Sequence, residues 1–296
     1  MPKAIDELKT TLAQLLSDAE TGNIIPISLP RQIAAIQQQI FDTEKEYAEE
    51  IEELKSRPTG DAGEIITENA AFMKTAIHEL RTPMTSIRGY GDMLANQSMS
   101  GELNEMQSEL LKVVRSNSKR MEALLSDMSY INKLRGGIMA VSKQMNMFKN
   151  IAMMAEKNNR HLAEELNRQL EFDIPQGLPI LTTDGDLMAH AMSKLIENGL
   201  RYSAEGEGKV TVRGDKQDNT LLVIIEDNGC GITEEEMTHL GELFFRSDNE
   251  TVLKYKGSGL GVYIAYGLVD IIGGRHEVKS TPGGGTTFTL FFDGMS

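Results

Sequence analysis

Apolar residues in the middle of the chain recur at helical-seam spacing. Met73, Ile77, Leu80, Met84 and Ile87 follow one another at steps of three and four, and Leu94 comes seven residues later, across Gly91. After a polar connector (Asn96 to Gly101) the same cadence returns in Leu110, Val114, Asn117, Met121, Leu124, Met128 and Ile131. Side chains three and four apart share a helix face. Two matched seams joined by a short loop therefore predict a helical hairpin. One hairpin buries little apolar surface, so two are expected to pair as an antiparallel four-helix bundle in a homodimer. Asn117 is the polar exception on the second seam and fits a register-setting residue.

Upstream, Ile5, Leu8, Leu12 and Leu15 predict a short amphipathic helix. Residues 21–30 read as a connector with two prolines. Ile33, Ile36, Ile40, Tyr47 and Leu54 carry a second seam, interrupted at Thr43 and Glu50, as far as the helix-breaking RPTGDAG at 57–63. Residues 1–65 are thus read as a coiled-coil arm, 66–135 as the hairpin and 136–296 as a separate domain.

Beyond Gly136 the period changes. Short strands are expected at 137–141, 169–174 and 179–182, and a helix over 143–165. An apolar-striped helix follows over 184–202, with Asp184 as N-cap. A hairpin of 209–213 with 220–226, a helix over 259–272 and closing strands near 276–280 and 286–292 complete the pattern. Strands with helices on one face predict an α/β sandwich, and the chain as a whole an α+β architecture.

Composition narrows the function classes. The longest aliphatic run is Leu221 to Ile225, whereas a bilayer span needs about 20 apolar residues. No membrane insertion is expected, no apolar leader opens the sequence, and a cytoplasmic location follows. The single cysteine, Cys230, excludes an intramolecular disulfide. A net charge of −14 fits a nucleic-acid backbone poorly.

Candidate chemistry falls in two places. The first is His78-Glu79-Leu80-Arg81-Thr82-Pro83, inside the first heptad helix. His78 follows the seam residue Ile77 and so lies on the exposed flank. A neutral imidazole is a nucleophile, and an adjacent carboxylate can take its ring proton. Pro83 has no N–H, which leaves the Glu79 carbonyl without its helical donor and is expected to loosen the helix there. A surface histidine on a kinked helix is the bland alternative.

The second place is the C-terminal half. In Leu195 to Ser203, Asn198 offers an amide oxygen that suits Mg²⁺, Arg201 can reach a phosphate and Tyr202 can pack on a base. In Glu226-Asp227-Asn228-Gly229-Cys230-Gly231, a carboxylate at a strand end can accept from a base amino group while Gly229 and Gly231 let the backbone turn closely around it. Leu243-Phe244-Phe245-Arg246 precedes a polar stretch, 247–256, expected to be a mobile lid. Gly257-Ser258-Gly259-Leu260-Gly261 then opens a helix, where backbone N–H groups can approach phosphate. A dinucleotide-binding reading of these glycines needs a strand before them, and polar residues stand there instead. No GxxxxGK[ST] element is present.

AIHELRTPMTSIRGY (76–90) resembles the H-box of sensor histidine kinases of the HisKA type. Asn198, Asp227-x-Gly229-x-Gly231, Phe244, GSGLG (257–261) and PGGGTTF (282–288), in that order, resemble the N, G1, F, G2 and terminal glycine boxes of the Bergerat-type (GHKL) ATPase domain. The resemblance covers about residues 66–296 and implies an autophosphorylating histidine kinase using ATP and Mg²⁺. His78 would be the phosphoacceptor, Glu79 would assist its phosphorylation, and Thr82 would assist dephosphorylation of the partner. It implies Asn198 at the metal, and Arg201, Tyr202, Asp227, Gly229, Gly231, Phe244, Arg246, Gly257, Ser258, Gly259, Leu260 and Gly261 around the nucleotide. The implied partners are a second copy, a response-regulator receiver domain and an upstream sensor protein. The sequence departs from the family pattern at Lys194, where a second Asn is common, and at Gly199, where Ala is frequent. Lys194 can face the phosphates or swing into solvent. A signalling scaffold that has lost catalysis, or a chaperone or repair ATPase of the Bergerat superfamily, are rival readings. The intact boxes speak against the first and the heptad hairpin against the second.

Overall fold

The computed structural model describes residues 62–96, 101–204 and 206–295, with side chains from residue 73. The expected coiled-coil arm, residues 1–65, lies almost wholly outside the described residues. The chain divides into two compact units at Gly137.

In the first unit, α1 (Ala62–Ala95) and α2 (Glu105–Arg135) form the hairpin. Ile77, Met84, Met121 and Leu125 are its buried centre, with Leu80, Ile87 and Met128 packed against them. The heptad reading put Leu124 in the second seam. Leu125 is buried instead and Leu124 is half-buried. A 3.6-residue turn drifts against a strict seven-residue repeat, so neighbouring positions can share the inner face. Asn104 caps α2 in a reciprocal box with Gln107. Arg88–Glu122 (2.6 Å) and Arg115–Asp92 (2.9 Å) cross between the helices on the exposed side. α1 runs uninterrupted through Pro83.

The second unit has two layers. Its five-stranded sheet has the order β2 (Gln169–Asp173), β4 (Lys209–Gln217), β5 (Thr220–Asp227), β7 (Gly285–Asp293), β6 (Arg275–Thr281). Only the β2–β4 pair is parallel. A separate ribbon pairs β1 (Gln144–Met147) with β3 (Ile180–Thr183). Alternate residues of the central strands point inward: Val210 and Val212, Leu221, Val223 and Ile225, Phe288, Leu290 and Phe292 are all buried. Against that face lie α3 (Phe148–Glu165), α4 (Gly185–Tyr202) and α7 (Gly261–Ile271). α4 is central, buries Met188, Met192, Leu195, Ile196 and Leu200, and packs on both other helices. Each such side chain, taken fully out of water, contributes about 1.5–3 kcal/mol.

Three expectations need correction. The strand expected at 137–141 is irregular backbone, and residues 144–147, read as the start of a helix, are a strand. Met145 and Met147 alternate with polar neighbours, a period-2 signal too short to stand out among good helix formers. The expected lid is not wholly irregular either: it contains a short helix, α6 (Glu250–Lys254), capped by Asn249 and anchored by buried Val252. A four-residue helix, α5 (Glu234–Met237), was also unforeseen. Among the described residues no helix is long and apolar enough to cross a membrane.

Candidate active site

His78 stands out from the hairpin. Its side chain is 76% exposed, on a helix whose neighbouring Ile77 is 3% exposed. Its Nδ1 lies 3.9 Å from Glu79 Oε1. One turn on, the Thr82 hydroxyl donates to the His78 carbonyl (3.3 Å), and the Thr85 and Ser86 hydroxyls donate to the carbonyls of Arg81 and Thr82. This run of hydroxyl back-bonds surrounds Pro83, the place where the ordinary helical donor is missing.

In the second unit the separate sequence boxes are drawn together. Asp184 caps α4, accepting from the Leu187 N–H (3.1 Å) with one oxygen and from the Ser142 N–H (2.8 Å) with the other. At the far end of α4, Lys194, Asn198, Arg201 and Tyr202 fall at spacings of three and four, on one face. The chain is stapled there to the Asp227 turn. The Cys230 N–H donates to the Tyr202 carbonyl (3.2 Å), and Ser203 bridges to Gly229.

Asp227 ends β5. Its Oδ1 accepts from the N–H groups of Gly229 (2.8 Å) and Thr286 (3.2 Å). Oδ2 carries no protein hydrogen bond among the described residues and is open to an external donor. Burial pushes this carboxyl up to about 6, against the pull of those two N–H groups. The glycine box at 282–288 closes over the turn: Gly283 N–H donates to the Cys230 carbonyl (2.7 Å). Gly231, at φ +67°, has so little room that a Cβ would stand 2.0 Å from the Thr281 oxygen. Only glycine fits that approach.

Gly199, the second departure from the family pattern, has a structural reason. A Cβ there would lie 2.9 Å from Val210 Cγ2 and 3.1 Å from Asp227 Cβ. The missing side chain lets α4 sit directly on β4 and β5 beside Asp227. Lys194 is half-buried, and its charge adds to burial in pushing His190 down to about 4.

The Gly257 to Gly261 loop leads into α7, and a Cβ on Gly261 would lie 3.7 Å from both amide atoms of Asn198. The N-terminus of an 11-residue helix, an amide side chain and unhindered glycine backbone therefore meet at one point. That donor set fits a Mg²⁺-bound phosphate chain: N–H groups for the anion, one neutral oxygen for a hard cation that takes its other ligands from phosphate and water. Among the described residues no cluster of three His, Cys, Asp or Glu side chains offers a metal cage. Leu260, by contrast, is fully buried and holds the loop down.

Arg246 holds the loop that follows it. Its guanidinium donates to the carbonyls of Gly257 (2.8 Å), Val252 (2.9 Å) and Tyr255 (2.7 Å). Its two terminal nitrogens thus bind the backbone of the loop it begins, while its buried Nε has no hydrogen-bond partner among the described residues. Phe244 adopts φ +64°, and its carbonyl carbon would lie 2.5 Å from a Cβ on Gly259. It shapes the base of the loop. Sequence reasoning missed Thr286, Arg168 and Tyr255. Thr286 stands in the recognised terminal box, yet its action is through backbone N–H, which no residue type reveals. Arg168 and Tyr255 meet across 87 residues of sequence.

Comparison with known proteins agrees with this geometry. Residues 68–137 match the family described as His Kinase A (phospho-acceptor) domain, and 183–294 match histidine kinase-, DNA gyrase B-, and HSP90-like ATPase. The chain is 28% identical over 261 residues to the non-motile and phage-resistance protein of Caulobacter vibrioides, covering 86% of this chain and 30% of that protein. It is 26% identical over 219 residues to the sensor protein SrrB of Staphylococcus aureus, covering 74% and 37%. It thus spans well under half the length of these relatives. Among solved structures, full-length ShkA in complex with AMPPNP aligns with a TM-score of 0.64 at 19% identity, over 76% of this chain and 46% of that one. The Acinetobacter baumannii histidine kinase AdeS aligns at 0.53 and 19%, over 74% and 98%. These two likenesses speak for the fold. With a phospho-acceptor hairpin followed by an ATPase domain in both sequence and structure, the chain belongs to the sensor histidine kinases of the HisKA type that carry a Bergerat-type (GHKL) ATPase domain.

Proposed function

We propose that this chain is an ATP-dependent protein-histidine kinase of a two-component system that phosphorylates its own His78. The observation that carries the reading is His78 itself: an imidazole held out into solvent by a helix whose other face is committed to packing, with a carboxylate against one ring nitrogen. Glu79 beside Nδ1 favours the tautomer with the proton there and leaves the Nε2 lone pair as nucleophile. That nitrogen attacks the γ-phosphorus of ATP, the bond to the ADP oxygen breaks, and the Nδ1 proton passes to Glu79. Barrier lowering comes mainly from positioning and charge stabilisation.

In this reading the nucleotide binds with its base amino group donating to Asp227 Oδ2 and its phosphates at the start of α7. Asn198 would hold Mg²⁺, which when bound would neutralise charge on the phosphate oxygens. Arg201 and Tyr202 line the same face, Gly257 and Ser258 offer backbone to the phosphates, and Gly229, Gly231 and Gly259 shape the site through the close internal approaches they permit. The ligand in full-length ShkA, AMPPNP, is an ATP analogue and supports this assignment. The phosphoryl group then passes to an aspartate on a separate response-regulator receiver domain, and Thr82 assists its later removal. The working unit is a cytoplasmic homodimer through the 66–135 hairpin, with 136–296 as catalytic domain and 1–65 as an arm to an upstream sensor.

Incubation with γ-labelled ATP and Mg²⁺ tests the reading. Label should appear on the chain, survive alkali, disappear in acid as a phosphoramidate does, and be absent from His78→Gln. Acid-stable label, or equal labelling of His78→Gln, contradicts it.

A further inference from the structure

The loop from Arg246 to Gly257 is closed at its base. Arg246, at one end, donates to carbonyls at the other, on Tyr255 and Gly257. Just beyond, Gly259 (φ +72°) is pressed against Phe244, where no side chain would fit. A loop whose ends are tied together moves about that base as one piece. What keeps it against the rest of the domain is then decided by the few contacts on its inner face.

Those contacts converge on Tyr255. Its ring stands edge-on to Tyr202, with centroids 6.4 Å apart and planes at 71°, a favourable aromatic geometry. Tyr202 is the last residue of α4, one turn beyond Asn198. The Tyr255 hydroxyl accepts from Arg168 Nη2 at 3.3 Å. Arg168 is only 8% exposed, and its Nε, wholly shielded from solvent, has no hydrogen-bond partner. Its Nη1 donates to the Leu166 carbonyl (2.9 Å). Its stem crosses bare backbone: a Cβ on Gly208 would stand 2.2 Å from Arg168 Cδ. A guanidinium so confined cannot turn out to solvent, so the loss of a partner leaves a buried donor unsatisfied. Tyr255 itself is half-buried; elsewhere in this loop Val252 is buried and the Ser247 side chain hydrogen-bonds the Glu236 carboxylate.

We propose that Tyr255 is the latch of the nucleotide lid: its ring on Tyr202 and its hydroxyl on Arg168 hold the 246–257 loop against the ATPase core, and their release sets the rate at which nucleotide leaves. The proposal rests on the reading of this domain as an ATP site. Lid opening commonly limits ligand release. Tyr255 acts through the loop, as a positioning residue, and needs no contact with the nucleotide.

The test uses the full chain with Tyr255→Phe, which keeps the ring and removes the hydroxyl, and Tyr255→Ala, which removes both. In nucleotide-free protein, amide hydrogen exchange over 247–257 should quicken roughly three- to tenfold in Tyr255→Phe, the scale of one modest hydrogen bond. It should quicken further in Tyr255→Ala, with β4 and β5 as protected as before. Stopped-flow release of a fluorescent ATP analogue should accelerate in the same order while its association rate stays near that of the unaltered chain. Unchanged exchange and release in Tyr255→Phe and Tyr255→Ala would overturn the latch. So would equal loss of protection in β4 and β5, which marks general destabilisation. If the unaltered chain does not bind the analogue, the ATP reading fails and the gating role with it, and exchange still decides whether Tyr255 holds the loop.

Discussion

Asp227 is caught between two demands. In the proposed site its carboxylate would accept from an adenine amino group, yet burial opposes the charge and holds the group near 6. Because the folded value lies above the unfolded one near 3.8, the native state binds the extra proton between about pH 4 and pH 6. Folding stability contributed by this group is therefore greatest below pH 4 and declines as pH rises to 6, by about 3 kcal/mol at the upper limit. Nucleotide affinity should move the other way, rising over the same range as the acceptor ionises. Asp227→Asn separates the two: an amide oxygen can still receive the Gly229 and Thr286 N–H groups, but the free position becomes a donor. We expect the variant to melt no lower than the parent at pH 8 and to lose ATP affinity at least tenfold by calorimetry. An Asn variant that binds ATP normally removes Asp227 from base recognition. Thr82 offers a second residue-level test. Its hydroxyl is one turn from His78 and already oriented by the His78 carbonyl. Thr82→Ala should label normally and slow the loss of phosphate from the regulator; equal rates of loss discount the role. His78 and Asp227 could be singled out in the sequence because the role proposed for each uses its own side-chain chemistry. The hold of Arg246 on the carbonyls of its own loop could not be read from the sequence, because it acts on backbone that no residue type reveals.

Among the elements, α4 shows how a local penalty serves the site. A glycine in a helix interior costs about 1 kcal/mol against alanine. At position 199 alanine would regain that propensity but press on Val210 and on Asp227. Gly199→Ala is predicted to leave the melting temperature unchanged or lower and to weaken ATP binding several-fold as Asp227 shifts. A higher melting temperature with unaltered affinity contradicts this packing account. The long elements were readable because burial repeats along them: Ile77 and Met84 on α1, Val210 and Val212 on β4, Leu221, Val223 and Ile225 on β5. The short ones were not. α6 is fixed by an Asn249 cap and one buried side chain, Val252, which leave little periodicity to detect. β1 exists through its pairing with β3, a contact between segments more than thirty residues apart. Ile138 and Val141 have strand-like side chains and no ladder partner, so that stretch stays irregular.

At the scale of the whole molecule, the hairpin leaves apolar side chains in solvent. Tyr90 is 66% exposed and Met93 47%, on a hairpin whose buried centre, among the described residues, is Ile77, Met84, Met121 and Leu125. This is what pairing with a second hairpin would cover, and light scattering should return a dimer mass. Neither the hairpin seams nor the nucleotide boxes lie in residues 1–56, so removing them should preserve ATP affinity and alter the rate of autophosphorylation. An unaltered rate would make the arm a tether. The heptad seams end and the period changes near Gly136 in the sequence, and the chain divides into its two compact units at Gly137. The lid contacts were hidden because they join residues far apart in sequence. The destination of the phosphate decides the proposed mechanism. Phosphopeptide mapping of the ATP-treated chain, carried out at neutral to alkaline pH to preserve phosphoramidates, should find phosphate on the peptide containing His78. It should find none on those containing His161, His190, His239 or His276. Phosphate on any of those four, or a chain that binds ATP and leaves His78 unmodified, would contradict it.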